Sequence, residues 1–190
     1  MRFRNVAAAG LAATVVVTLT GCQQDEPSVP LPTAPPATSA SPAPTVDEAE
    51  AAAMKGVRTA YADYQRVVAA AQNKGDPKAK DLASYVAEPL LGQIRNSIGS
   101  MAKAGFVVKG RTESKGDPEI TELNLDDRTP TATIEDCIDP SSAVLTSKKT
   151  GKPQPAPSGQ PPRYLVVSTA KQVSGKWYID GTKGYWERPC

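Results

Sequence analysis

Any chemistry in these 190 residues has to be done without histidine, because the chain contains none. That removes serine–histidine–aspartate and cysteine–histidine nucleophilic arrangements and most zinc sites, all of which need an imidazole. Carboxylate and tyrosine chemistry remains. The segment ATIEDCIDP places Asp136 and Asp139 on either side of Cys137 and Ile138, and a buried carboxylate can act as a base when its surroundings tune its pKa. Tyr61, Tyr64 and Tyr164 are the candidate hydrogen-bond partners. An isomerase-like or lyase-like activity would rest on Asp136, with Tyr61 beside it. The plainer alternative is that Asp136 bonds a backbone amide or sits at a bulge next to Cys137, since isolated strand carboxylates are usually structural or solvated. The balance favours the plainer alternative, and so a protein that is not an enzyme.

Three other groups have a possible binding role. Trp177, Tyr178, Tyr185 and Trp186 fall within the last fourteen residues and could stack the sugar rings of wall polymers, although packing is the commoner use of such a cluster. Lys148, Lys149, Lys152 and Arg163 make one loop basic, which suits an anionic leaflet or teichoic acid as well as plain solvation. Pro153, Pro155 and Pro157 could offer a polyproline ligand. No cofactor is implied by any of them.

The elements that must position these residues begin after an export signal. Residues 1–5 (MRFRN) are a short positive segment, and the fifteen residues Val6 to Thr20 are apolar, which is the plan of a secretory signal peptide. The stretch is shorter than the roughly 20 residues needed to span a bilayer. It ends in Leu19-Thr20-Gly21-Cys22, which resembles a bacterial lipobox. The resemblance implies cleavage after Gly21, acylation of Cys22 (including palmitate-type chains), and a lipoprotein anchored to the outer face of the cytoplasmic membrane. Removing Arg2 and Arg4 leaves twenty basic against twenty acidic side chains. Such neutrality argues against a nucleic-acid partner, which would select a basic stripe.

Proline marks the segments that do not pack. Of 18 prolines, seven lie between Pro27 and Pro44 and five between Pro153 and Pro162. Residues 22–46 are thus expected to form a lipidated cysteine and a Pro, Ala, Ser and Thr tether that cannot bury enough apolar surface to fold. At about 3.1 Å per residue it would reach roughly 75 Å from the membrane. Residues 47–190 form one domain with a Pro-rich loop at about 147–163. With Cys22 acylated, Cys137 and Cys190 are an even pair in an oxidising compartment, which reads as a disulfide, with two free thiols as the alternative. A metal site is not expected at either cysteine.

Within the domain, Val57, Tyr61, Tyr64, Val68 and Ala71 recur at helical spacing, so a helix is expected from about Asp47 to Asn73, ended by Lys74-Gly75. Asp76-Pro77 is expected to cap a second helix carrying Leu82, Tyr85 and Val86. Leu90, Leu91, Ile94, Ile98 and Met101 mark a third, stopped at Gly105. From Phe106 the period becomes two. Strands are expected over residues 106–112, 120–125, 131–138, 164–173 and 176–179, the last two forming a hairpin across Ser174-Gly175. Strand alternation puts Asp136 on one face with Ala132, Ile134 and Ile138. Helices followed by an antiparallel sheet make an α+β fold.

LASYVAEPLLGQI (82–94), ATIEDCIDP (132–140) and GKWYIDGTKGYWERPC (175–190) resemble the secreted lipoproteins with a nuclear transport factor 2-like domain, over about residues 47–190. The resemblance implies three N-terminal helices packed on a curved antiparallel sheet of about four to six strands, a cone or cystatin-like roll with Asp136 on its concave face. It leaves function open, because that fold hosts isomerases, dehydratases, cyclases, ligand binders and assembly domains. Without histidine the His-dependent dehydratase variants drop out. A non-catalytic envelope module that binds another envelope protein or a wall polymer is the favoured expectation. A small-apolar-ligand binder and an Asp136 enzyme are the alternatives. Nothing in the sequence sets the oligomeric state.

Overall fold

The computed structural model describes residues 46–190. The expected signal peptide, the Cys22 lipidation site and the tether up to residue 45 lie outside the described residues. Among the described residues no helix is long and apolar enough to cross a membrane.

Helix α1 spans Val46–Lys74, with Asp47 and Glu48 in its first turn and Lys74 in its last, both favourable to the helix dipole. Gly75 ends it at φ +65°. There the Gly75 N–H bonds the Gln72 carbonyl and the Asp76 N–H bonds the Ala71 carbonyl, the paired closure that a glycine beyond the last turn permits. Helix α3 spans Leu90–Lys103 and buries Leu90, Leu91 and Ile98, with Ile94 and Met101 partly covered.

The second helix is shorter than expected. Asp76 does accept the Lys78 N–H, at 2.9 Å. The bonds that follow, however, are the three-residue links Ala79 N–H to Asp76 and Leu82 N–H to Ala79. Regular helix is confined to α2, Leu82–Tyr85. A cap and a proline start a turn, but a helix persists only if i to i−4 bonds follow. Here the chain instead delivers Val86 to the edge of the sheet, where it bridges Ile179.

Seven strands follow: β1 Phe106–Lys109, β2 Glu113–Ser114, β3 Glu119–Asn124, β4 Thr131–Asp139, β5 Val144–Ser147, β6 Tyr164–Val173 and β7 Lys176–Tyr185. Five form the main antiparallel sheet. β4 lies at its centre, pairing with β6 from Thr131↔Lys171 to Ile138↔Tyr164 on one side. On the other side it takes β3 along its first half and β2 at Ile138 and Asp139. β7 continues beyond β6. The expected α+β architecture is what the chain forms.

Strand β5 was not anticipated and pairs with β1 in a separate two-stranded sheet. Gly110, at φ +79°, ends β1 there, and any Cβ on it would run into the Ser142 carbonyl. The Pro-rich segment starts out tied to β5. The Ser147 N–H bonds the Lys152 carbonyl at 3.0 Å and the Gln154 N–H bonds the Leu145 carbonyl at 2.7 Å.

The hairpin turns at Ser174 and Gly175, with φ of 50° and 78°, the left-handed pair that suits a two-residue β-hairpin. β7 runs six residues past its expected end at Ile179. A bulge shifts the register between Thr169/Ala170 and their partners Gly181 and Ile179, so the period-two pattern breaks at Asp180 while the pairing continues.

The core lies between α1, α2 and α3 and one face of the sheet, with Val57, Ala60, Leu82, Val86 and Ile98 against Ala132, Ile134, Ala170, Trp177 and Ile179. Gly56 sets how closely α1 approaches the sheet. A methyl group there would lie 2.8 Å from Trp177 Cδ1, well inside van der Waals contact.

Candidate functional site

Alternation along β4 turns Ala132, Ile134, Asp136 and Ile138 inward, so Asp136 faces α1 at 3% exposure. Residues four apart share a helix face, and α1 therefore presents Tyr61 and Gln65 together. Tyr61 Oη donates to Asp136 Oδ2 at 3.1 Å and Gln65 Nε2 donates to the same oxygen at 3.2 Å. β2 adds Ser114, whose hydroxyl donates to that oxygen at 2.5 Å. Three donors from three elements thus converge on one carboxylate oxygen.

Asp136 neither bonds a backbone amide nor sits at a bulge, which corrects both versions of the structural expectation. β4 and β6 stay in register through Asp136↔Val166, and the partners are side chains from elsewhere in the fold. Burial pushes the Asp136 pKa up, against the lowering effect of hydrogen bonds from Ser114, Tyr61 and Gln65. Burial also pushes the Tyr61 phenol far above its ordinary value, and the Asp136 charge adds to this. Tyr61 is therefore a fixed donor at any physiological pH. Oδ2, holding three donors, is a poor proton acceptor, since protonating it would require releasing one of them, whereas Oδ1 takes none of the three.

Asp139 has a different environment. Its carboxylate accepts the Ser141 N–H at 3.0 Å and lies 3.6 Å from both Lys115 and Arg163. Hydrogen bonding from Ser141, with Lys115 nearby, holds its pKa down at about 2. Arg163 is thereby paired, while Lys148, Lys149 and Lys152 are exposed.

Beside the Asp136 cluster is a cleft of about 270 Å³ between the second half of α1 and the sheet. Tyr61, Tyr64, Gln65 and Gln72 line it from the helix, Tyr164, Val166, Thr182 and Gly184 from β6 and β7. Among the described residues no charged side chain lines it, and Asp136 is not part of its lining. Tyr61 and Gln65 face the cleft and bond Asp136 at once. The tyrosines named from sequence thus divide: Tyr61 bonds Asp136, whereas Tyr64 and Tyr164 are cleft walls. Tyr61 and Tyr64 are 5.9 Å apart, ring centre to ring centre. Gln65 and Ser114 were missed. Gln65 could have been found four residues after Tyr61 on the same face, but a two-residue strand carries no pattern that would single out Ser114.

The C-terminal aromatics do not form one platform. Trp177 is core, packed on Gly56. Tyr178 sits under the Lys176 ammonium and Tyr185 under Lys183 and Arg188. Trp186, at 44% exposure, leans on the cleft residue Tyr164 at 6.2 Å. Cys137 and Cys190 form a disulfide. Among the described residues no group of three or more His, Cys, Asp or Glu side chains could hold a metal ion.

No family model matches the chain and no curated protein matches its sequence. Solved structures of related outline include the intermembrane space region of the chloroplast protein ARC6, at 11% identity and a TM-score of 0.45 over 68% of this chain and 94% of that one. Another is a protein of unknown function with a cystatin-like fold from Nostoc punctiforme, at 14% identity and a TM-score of 0.39 over 74% and 91%. Neither likeness is close enough to transfer residues or function.

Proposed function

We propose that this protein is an extracytoplasmic lipoprotein, anchored to the outer face of the cytoplasmic membrane through Cys22, whose domain is a non-catalytic binding module of the cell envelope. Its site is the cleft between α1 and the sheet. The observation that carries this reading is an uncharged, tyrosine- and amide-lined cleft whose lining excludes Asp136, one oxygen of which is occupied by three donors. Aromatic faces beside neutral hydrogen-bonding groups suit a neutral, hydroxyl-rich ligand such as a sugar segment of a wall polymer. An apolar ligand would leave the Gln72 amide without a partner, and an enzyme would need Asp136 to face the cleft.

Two experiments test the two halves. Cys22→Ala should abolish metabolic labelling with a fatty acid, and undiminished labelling would remove the anchor. For the module, a photo-reactive residue at Thr182, on the cleft rim, should capture glycan-containing adducts in living cells. The same group at Glu122, on exposed β3, should not. Equal capture at both positions, or adducts at Thr182 that glycan hydrolases leave unchanged, would rule out the cleft as a sugar site.

A further inference from the structure

The outward face of α3 carries a second, chemically opposite site. Arg95, Asn96, Gly99, Ser100 and Lys103 recur along the helix opposite its buried stripe, and with Pro77 and Lys78 they line a groove of about 620 Å³. Gly99 keeps its floor low: a Cβ there would touch only the Pro77 ring, 3.8 Å away. Every polar side chain of the lining can donate a hydrogen bond, three are cations, and no carboxylate lines the groove. Among the described residues the side chains of Lys78, Arg95, Asn96, Ser100 and Lys103 have no hydrogen-bond or ion-pair partner. The nearby Asp76 is occupied as acceptor of the Lys78 N–H.

Arg95 makes this more than a set of surface lysines. Its Nε is buried without a partner, the one such side-chain nitrogen or oxygen found among the described residues. The terminal guanidinium nitrogens of Arg95 are unpartnered too but are not buried, so the groove side of the guanidinium is open to an acceptor from outside. A guanidinium flanked by two ammonium groups, a hydroxyl and an amide fits tetrahedral oxyanions best, because Arg bonds phosphate through two parallel N–H groups while Lys neutralises it.

We propose that this groove is a binding site for a phosphate ester. Its volume leaves room for the group to which the phosphate is attached. The phosphate can belong to an anionic lipid headgroup or to a soluble phosphate. The site is independent of the cleft, which shares no lining residue with it and has no charged residue in its lining.

The test follows the Arg95 Nε–H resonance of the full chain by NMR during titration with inorganic phosphate and, separately, with monomeric dihexanoyl phosphatidylglycerol. Both should shift it. Binding of the lipid about tenfold or more tighter than phosphate assigns a headgroup, and the reverse order assigns a soluble phosphate. Arg95→Gln, and the exposed Lys103→Gln in case the first variant disturbs packing, should each weaken binding about tenfold, the size of one charge-assisted hydrogen bond. Gly99→Leu, which keeps every charge but fills the floor, should abolish it. Lys55→Gln, at an exposed position in the first half of α1 outside the groove, should change nothing. The proposal fails if neither titrant shifts Arg95, if Gly99→Leu keeps full affinity, or if Lys55→Gln costs as much as Arg95→Gln.

Discussion

Cys137→Ala lowers the stability of this protein by about 4 kcal/mol, the entropy that a closed loop of this length removes from the unfolded chain. The bond joins the inner strand β4 to the last residue, across a separation of 53 positions. Against a usual total of about 5 to 15 kcal/mol this is a large fraction, and the melting temperature should fall by on the order of 10 °C. The C-terminal segment has few other ties. The Leu165 N–H to Arg188 carbonyl bond at 3.0 Å and the Tyr164–Trp186 contact hold it against β6. Cys190→Ala should cost the same as Cys137→Ala, and the double variant no more than either, because one bond is lost in all three. Thermal melts of the three proteins give the comparison. Alkylation of both thiols in the intact protein without reductant would show that the bond does not form.

Asp136→Ala costs about 3 kcal/mol, by a different route. It strips the acceptor from three donors at once, and each buried donor left unpaired costs about 1 to 3 kcal/mol. Gln65 and Ser114 can turn to each other, being already 3.5 Å apart, so the total falls short of three full penalties. Tyr61, the most buried of the three donors, bears most of the loss. Asp136→Asn separates geometry from charge, because the amide oxygen still accepts while the ionisation is gone.

The pH dependence then has a definite sign. The folded pKa of Asp136 lies above the ordinary 3.8, so between that value and the raised one the folded state binds more protons than the unfolded state, and stability falls as pH rises. Asp139, whose folded pKa is lowered to about 2, contributes in the opposite direction, with stability lost as pH falls below 3.8. Subtracting the Asp136→Asn curve cancels Asp139 and isolates Asp136. The wild-type stability relative to Asp136→Asn should therefore decline from about pH 4 upward and level off once Asp136 is ionised. A difference that grows with pH would mean that the three donors outweigh burial and that the carboxylate is stabilised by its site.

Local order was legible from sequence because its periods are local. The α1 stripe, with Val57, Tyr61 and Ala71 buried, follows from 3.6 residues per turn. The inward row Ala132, Ile134, Asp136 and Ile138 follows from the two-residue repeat of a strand. The Ser174-Gly175 turn follows from the positive φ that its hairpin requires. Composition and cysteine parity pointed to the disulfide.

What the period could not supply was which faces meet. Asp136 receives Gln65 from 71 positions away and Ser114 from 22, and that meeting depends on where α1 crosses the sheet. Trp177 and Trp186 look like one aromatic cluster in sequence, but the fold puts the first in the core and leaves the second exposed against Tyr164. Asp76-Pro77 carries helix-start signals yet makes only turns, because the following residues must reach the edge of β7. Sequence by itself determined which residues face inward along each element. Only the tertiary structure decided that Asp136 would be surrounded by donors and that the cleft beside it would be uncharged, because both are set by contacts between elements far apart in the chain.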